Sequence, residues 1–205
     1  GAYRLVTRAE QQLLNRAYSK VTGLPSIVLM ENAGKAVADA VLSVETEMQA
    51  AVYDCLVFAG KGQNGGDGYV AARHLLAEGL KVAVVDSSSG EAPQADAAVN
   101  VAAWTELGGE TIRDLTTVPT DSVPVIVDAV FGSGFEAQRE LDSEVVHVFA
   151  LMAELQQAGS IVVACDLPSG MVADTGQVIS LTIEADLTVT FGRVKLGLIT
   201  HPGCL

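Results

Sequence analysis

A glycine-rich segment follows an apolar run near the first third of the chain, which reads YDCLVFAGKGQNGGDGY. Gly60, Gly62 and Gly65 have the spacing G-x-G-x-x-G, in which glycines allow a tight turn and let phosphate oxygens approach main-chain N–H groups at a positive helix end. Asp86 closes the next apolar run, where an acid that binds ribose would lie. Glycine-rich turns also follow strands for conformational reasons alone. The segment nevertheless favours a phosphate or nucleotide site.

Polar side chains also follow two later apolar runs. In the segment VIVDAVFGSG, Asp128 lies at the end of a predicted strand. In the segment IVVACDLPSG, Asp166 lies at the end of the next strand, with Ser169 close behind. Ligands of an open parallel sheet bind outside the carboxyl ends of the strands, so these residues are expected to meet Asn64 and Asp67 in one crevice. Taken singly, each of them could equally cap a helix or a turn. Three similar junctions in one chain favour a shared site.

These residue types indicate the chemistry that such a crevice supports. Asn, Asp and Ser offer hard oxygen ligands for an alkali or alkaline-earth cation, and two neighbouring carboxyl groups can divide into a proton donor and a charged partner. A Walker loop is excluded because Asp67 and Gly68 follow Gly66, and a serine hydrolase is disfavoured because Ser169 lies in DLPSG. A nicotinamide dehydrogenase is the stronger rival, but it usually has additional chain for a substrate domain.

The elements that position these residues alternate in the manner of a parallel sheet covered on both faces. Thr7 and Glu10 form a capping box for a first helix that ends at Gly23, and a second helix is predicted from Ser26 to about Val41. The predicted strands are 53–59, 81–85, 125–130, 160–165 and 187–191, and the predicted helices between them are 68–80, 93–107 and 143–158.

Composition narrows the class of protein. A chain of 205 residues that is 49% hydrophobic and 18% charged can bury one substantial core, so residues 1–205 are predicted to form one domain. The formal net charge of -13 argues against nucleic acid or an anionic membrane as a partner, although Lys61 and helix N-termini can make one pocket locally positive. Cysteines without close pairing fit a reducing cytoplasm, and Cys55 and Cys165 are predicted to be buried thiols. An organelle location through a removed targeting segment stays open.

Several motifs in a fixed order resemble the YjeF N-terminal domain family, whose enzymatic members are NAD(P)H-hydrate epimerases. The family's opening helices are similar to RLVTRAEQQLLNRA and GLPSIVLMENAGKAVA, and its glycine-rich signature is similar to AGKGQNGGDGYVAARHL. The later motifs follow in the family's order as DAVFGSG, DLPSG with DTG, and ADLTVTFGRVKLGL. The resemblance covers nearly the whole chain and implies an α/β protein, with a three-layer α/β/α Rossmann-like fold and a mostly parallel central sheet.

The resemblance implies an isomerase that acts on hydrated NADH and NADPH (NADHX and NADPHX), in which water has added across a double bond of the nicotinamide ring. Such an enzyme interconverts the R and S forms, so that a dehydratase specific for the S form, often fused to it, can restore the coenzyme. By motif position, one potassium ion per subunit would be held by Asn64, Asp128 and Ser169. The implied substrate-binding residues are Gln63, Asn64, Gly65, Gly66, Asp67, Gly132, Ser133, Gly134, Phe135, Glu136, Ala137, Gln138 and Asp166.

We expect Asp166 to be catalytic, exchanging protons with the hydroxyl group of the hydrated ring. The chain departs from the family's pattern at Gln63, where Asn is usual, and in the residues FEAQRE that follow Gly134. A non-catalytic nucleotide-binding or scaffold module of the same fold, as in related mRNA-decapping scaffolds, is the alternative. A homodimer through the apolar N-terminal helices is a further expectation.

Overall fold

Within the part of the chain that the structure describes, six strands form one sheet in which every pair of neighbours is parallel. The computed structural model describes residues 4–44, 52–88, 90–93, 95–121, 123–138 and 140–200. The strands are β1 (Cys55–Ala59), β2 (Val82–Asp86), β3 (Glu110–Ile112), β4 (Val125–Ala129), β5 (Ile161–Cys165) and β6 (Leu187–Val189). Their order across the sheet is β3-β2-β1-β4-β5-β6, so strands are added toward one edge from β1 to β3 and toward the other edge from β4 to β6. The position between β1 and β4 is the switch point at which open α/β sheets bind ligands.

Five α-helices accompany the sheet in the described segments. They are α1 (Arg8–Thr22), α2 (Ser26–Ser43), α3 (Gln63–Ala77), α4 (Ala95–Glu106) and α5 (Ser143–Gln157). The capping box at the start of α1 is confirmed, because the Thr7 hydroxyl accepts a hydrogen bond from the Glu10 backbone N–H and the Glu10 carboxylate accepts one from the Thr7 N–H at 2.9 Å. Gly23 ends α1 in the left-handed conformation with φ 71°.

The two faces of the sheet hold separate apolar layers, which makes the predicted three-layer arrangement. Successive side chains of a strand point to opposite faces. Val57 of β1 packs with α2, α3 and α4, including the buried Trp104, whereas Phe58 packs with Phe149 and Met152 of α5. The three-layer α/β/α fold with a parallel central sheet is thus confirmed.

The structure differs from the sequence-based expectation in the start of one helix and in the presence of one additional strand. The glycine-rich segment was expected to be a turn before a helix at 68, but α3 already begins at Gln63, with Gly62 as its N-cap. Glycine lowers helix propensity, yet packing overrides it here, because a Cβ atom on Gly66 would lie 2.7 Å from the Met30 side chain. The edge strand β3 was missed, since three residues of which only Ile112 is buried give no strand pattern.

Cys55 and Cys165 lie within the buried strands β1 and β5. They are buried free thiols, as predicted, and burial raises the pKa of both. Cys204 and His201 lie outside the described residues. His74 packs through its ring nitrogen against Glu31 at 2.8 Å rather than facing the cavity described below. None of the helices in the described segments has the length and hydropathy needed to cross a bilayer.

Candidate functional site

A large cavity opens at the carboxyl ends of β1, β4, β5 and β6. Its volume is about 1240 Å³, above the roughly 300–1,000 Å³ that small-molecule sites usually have. The residues that follow these strands form the inner part of its wall. They are Gly60 to Asn64 and Asp67, Val130 to Phe135, Asp166, Thr190 to Gly192, and Lys195. Asn64, Asp67 and Asp166 therefore meet in one crevice as expected, whereas Asp128 and Ser169 are buried and do not line it.

The predicted substrate-binding residues fall into three groups around this cavity. The residues that line it are Gln63, Asn64, Asp67, Gly132, Ser133, Gly134, Phe135 and Asp166. A neighbouring pocket of about 280 Å³ is lined by Glu136, Ala137 and Gln138, and shares Ser133 and Phe135 with the large cavity. Gly65 and Gly66 line neither of these two cavities, because both are packed against the protein: a Cβ on Gly65 would lie 1.7 Å from the carbonyl oxygen of Gly60. Their assignment to substrate binding stays a prediction.

Asp166 lines the cavity and has an unusual backbone conformation. Its φ is 68°, a region that costs a non-glycine residue about 1–3 kcal/mol and that clusters at functional sites. The Oδ1 atom accepts hydrogen bonds from Lys195 Nζ at 2.5 Å and Thr190 Oγ1 at 3.3 Å, and Oδ2 accepts one from the Ser133 backbone N–H at 3.1 Å. The carboxylate is therefore fixed in position beside the cavity.

Lys195 is the functional residue that sequence reasoning missed. It has 1% of its surface exposed and forms an ion pair with Asp166. The available clue was a single Lys inside the otherwise apolar and glycine-containing end of FGRVKLGL, a setting that does not suit a solvated charge. Because Lys195 follows the last strand on an irregular path, its distance from Asp166 was not readable from spacing.

A second carboxyl group, that of Asp67, lines the same cavity. Burial raises the pKa of Asp67 well above its usual range, and the negative charge of Asp166 raises it further, while the charge of Lys195 acts in the opposite direction. Asp166 has the ammonium as a direct partner, whereas Asp67 feels it only at longer range. The two carboxyl groups thus have different surroundings, as the expected division into acid and base requires.

Two of the three predicted cation ligands, Asp128 and Ser169, are in direct contact beside the loop after β4. Asp128 and Ser169 are hydrogen-bonded side chain to side chain, and the Ser169 backbone N–H donates to Asp128 Oδ2 at 2.7 Å. Burial raises the pKa of Asp128, while its hydrogen bonds from Ser169 oppose that shift. Gly132 joins this region to Asn64, since a Cβ there would lie 2.8 Å from Asn64 Oδ1.

The buried amide of Asn64 provides a test of whether a cation fits. Asn64 has 8% of its surface exposed, and within the described residues neither its Oδ1 nor its Nδ2 atom has a hydrogen-bond partner. A buried amide oxygen without a partner costs about 1–3 kcal/mol, which a bound cation would offset. Oxygen donors suit a hard cation, and the described residues contain no cluster of three or more His, Cys, Asp or Glu side chains for a transition metal. The residues present therefore fit the predicted potassium site.

The helix α1 forms the outer wall of the cavity. Its cavity-lining residues are polar: Arg8, Gln11, Gln12, Asn15, Arg16 and Ser19. Its apolar residues Leu13 and Val21 point outward, with 63% and 84% of their surfaces exposed. An outward apolar stripe is what the expected homodimer would need, and dimerisation stays a prediction.

Lys61 and Asp86, two residues expected near a ligand, are already paired with charged groups of the protein. Lys61 lines the cavity and is paired with Glu91. The Asp86 carboxylate lies 3.5 Å from the Arg113 guanidinium and accepts the Ser88 N–H at 3.0 Å, and Asp86 does not line the large cavity. The expected contact between Asp86 and a ribose therefore has no support in the geometry.

Comparison with known proteins defines the class to which this fold and site belong. The chain belongs to the family described as YjeF-related protein N-terminus, whose model matches residues 26–197. The NAD(P)H-hydrate epimerase of Limosilactobacillus fermentum is 32% identical over 208 residues, covering 97% of this chain and 90% of that protein.

Further relatives are named as bifunctional enzymes and are longer than this chain. The bifunctional NAD(P)H-hydrate repair enzyme Nnr of Moorella thermoacetica is 40% identical over 212 residues, which are 97% of this chain but 38% of that enzyme. The chain thus spans less than half the length of this bifunctional relative. The crystal structure of yeast ynu0 superposes with a TM-score of 0.80 over 95% of this chain and 82% of that one, at 24% identity, which shows a shared fold.

Proposed function

We propose that the protein is an isomerase that interconverts the R and S forms of hydrated NADH and NADPH, and so takes part in the repair of nicotinamide coenzymes. The observation that carries the proposal is the fixed carboxylate of Asp166 in a large cavity at the switch point of the sheet. Membership of the family, and a relative named as an epimerase that is covered over 90% of its length, support the same reaction.

The proposed chemistry is a proton exchange at the hydroxyl group of the hydrated ring. A protonated carboxyl group gives its proton to that hydroxyl, the carbon–oxygen bond breaks, and water leaves while the ring nitrogen shares its lone pair with the carbon. Water then adds to the opposite face and returns a proton to a carboxylate, so the enzyme is regenerated. Asp166 is the carboxyl group we place at this step, with Asp67 as its neighbour in the same wall.

Potassium is the cofactor that we propose for this site. Asn64, Asp128 and Ser169 would hold the ion, which would supply a fixed positive charge near the substrate phosphates in a protein with a net charge of -13. The support is the unpartnered amide of Asn64 and the hard oxygen donors around it.

The ion-binding proposal can be tested without any substrate. Replacing sodium with potassium at constant ionic strength is expected to raise the Tm of the protein by about 3 °C, because a ligand that binds only the folded state stabilises it. Asn64→Ala should remove most of this difference. Asn32→Ala, which truncates an exposed amide of α2 lining the same cavity, should leave it intact. An equal response of the parent protein to sodium and potassium would contradict the potassium site.

The activity itself is tested on purified R-hydrated NADH. The protein is expected to produce the S form faster than the spontaneous rate, followed by chromatographic separation of the two forms, and potassium should stimulate the reaction more than sodium. A heat-denatured sample provides the control for catalysis by buffer. A folded protein that gives no acceleration would refute the epimerase and favour the non-catalytic nucleotide-binding or scaffold module.

The proposed partner follows from the chemistry of the product. A dehydratase that accepts only the S form must consume what the epimerase makes, and several relatives bear names that combine the two repair functions in one chain. A cytoplasmic location and a homodimer complete the proposal. Light scattering that gives the monomer mass of 21.3 kDa at working concentration would contradict the dimer.

A further inference from the structure

The ammonium group of Lys195 uses all of its hydrogen-bonding capacity inside the protein. A buried ammonium is costly unless it is paired. Lys195 Nζ donates to Asp166 Oδ1 at 2.5 Å, to the Phe191 carbonyl oxygen at 2.7 Å and to Thr190 Oγ1 at 3.0 Å. An ammonium has three N–H donors, so none is left over for a ligand. Lys195 is therefore suited to hold another residue in place rather than to bind substrate itself.

We propose that Lys195 is a positioning residue for epimerisation, which holds the carboxyl group of Asp166 in place and directs its Oδ2 atom toward the cavity. This inference rests on the proposed function. Lys195 and Thr190 both occupy Oδ1, whereas Oδ2 receives one hydrogen bond from described residues, the 3.1 Å bond from the Ser133 N–H. A carboxylate oxygen has two lone pairs, so Oδ2 keeps one for the hydroxyl group of a substrate.

The backbone of Asp166 shows why a side-chain partner is needed. The residue has φ 68°, its N–H donates to the Val189 carbonyl at 2.9 Å, and the next N–H donates to the Cys165 carbonyl at 2.9 Å. These bonds fix the main chain at the end of β5 but leave the carboxylate free to rotate. The ion pair with Lys195 removes that rotation.

The charge of Lys195 also offsets a repulsion within the cavity wall. Asp67 and Asp166 are close enough that the charge of Asp166 raises the pKa of Asp67, while Lys195 opposes this effect. Without the ammonium, two carboxyl groups would share a partly enclosed site with no cation bound directly to either.

Lys195 is itself held by residues near the N-terminus of the chain. The Val6 N–H donates to the Val194 carbonyl at 3.1 Å, and the Leu196 N–H donates to the Val6 carbonyl at 3.1 Å. Gln11 Oε1 accepts the Arg193 N–H at 3.0 Å. These bonds bracket Lys195 on both sides, so the ammonium is presented to Asp166 from a braced segment, as a positioning role requires.

The inference is tested by removing the ammonium and then replacing it from solution. Lys195→Ala is expected to lower kcat about a hundredfold with little change in KM, since a misplaced catalytic group costs about that factor. Propylammonium, which matches the deleted atoms, should restore at least a tenth of the parent kcat. 1-Propanol has nearly the same size without the charge and should restore none. Each rate is measured on protein whose folded fraction is checked by circular dichroism.

A second variant keeps the test decisive if Lys195→Ala does not fold. Thr190→Val preserves size but removes one donor to Asp166 Oδ1 and one acceptor of Lys195, and is expected to lower kcat by about threefold to tenfold. Equal rescue by propanol and propylammonium would reduce Lys195 to a packing role. Full kcat in either folded variant would overturn the inference while leaving the epimerase intact. An inactive parent protein would overturn both.

Discussion

Replacing Asp166 with Asn is expected to lower the kcat of epimerisation by about a hundredfold or more, because a carboxamide neither accepts nor returns a proton at neutral pH. The substitution preserves the shape of the side chain. Asn also tolerates the left-handed backbone region better than most residues, so φ 68° is no obstacle to folding. The loss of rate can therefore be assigned to the carboxylate rather than to a collapsed site.

The same substitution should lower stability, and the assay must separate the two effects. Asp166→Asn leaves the buried ammonium of Lys195 without a negative partner, and breaking one side of a buried ion pair costs about 3–5 kcal/mol. The rates at which the two proteins form the S form are therefore compared at a temperature where urea titration shows both proteins to be folded.

A remote carboxylate supplies the matched control. Asp186, just before β6 at the opposite end of the sheet, accepts the Val162 N–H at 2.8 Å, and Asp186→Asn keeps an oxygen for that bond. The rate of this control should stay within about twofold of the parent. A rate for Asp166→Asn that lies within a few-fold of the parent would show that another group carries the proton, with Asp67 the first to test.

The sequence predicted the convergence of the acidic residues because a parallel sheet makes that convergence unavoidable. Asp128 lies near the end of β4 and Asp166 directly follows β5, and these two strands are paired. Asn64 follows β1, which is the other neighbour of β4. Once the strands were recognised, their carboxyl ends had to share one edge. The positions of these residues therefore needed no knowledge of side-chain geometry.

Features that depend on irregular chain paths were not predictable in the same way. Lys195 reaches Asp166 from the segment after β6, which is held by a bridge to Val6 far away in the sequence. Local patterns contain no information about such a bridge. Glu136 likewise shares the loop after β4 with Ser133, yet it pairs with Arg8 and lines the neighbouring pocket. The direction in which a loop turns could not be predicted from the sequence.

The glycine-rich segment shows how a correct motif can have a different physical cause. The spacing G-x-G-x-x-G suggested glycines that make room for phosphate. In the structure, Gly65 makes room for the protein itself, because a Cβ there would lie 1.7 Å from the Gly60 carbonyl oxygen and 2.6 Å from its carbon. The first turn of α3 packs directly on the end of β1, and this contact places Asn64 and Asp67 at the cavity.

Gly65→Ala is accordingly expected to lower the free energy of unfolding by about 3 kcal/mol or more, since the added methyl group collides with main-chain atoms that cannot rotate away. Gly62→Ala is the matched control in the same segment. Its Cβ would have no atom within 4 Å, and its φ of -86° suits any residue. The unfolding free energy of this control should change by less than about 1 kcal/mol, because the weaker N-cap and the lower entropy of the unfolded chain act in opposite directions.

Urea denaturation followed by circular dichroism measures both variants, and epimerisation is assayed beside it. If Gly65→Ala matched the parent in stability but lost activity, the glycine would serve the substrate phosphates after all. If it lost both, close packing of α3 on β1 is its primary role, and binding depends on that packing. Gly62→Ala tests whether the loop itself contacts substrate. A stable variant with a raised KM would place the substrate phosphates against Gly62, because the added methyl group would then contact the ligand and not the protein.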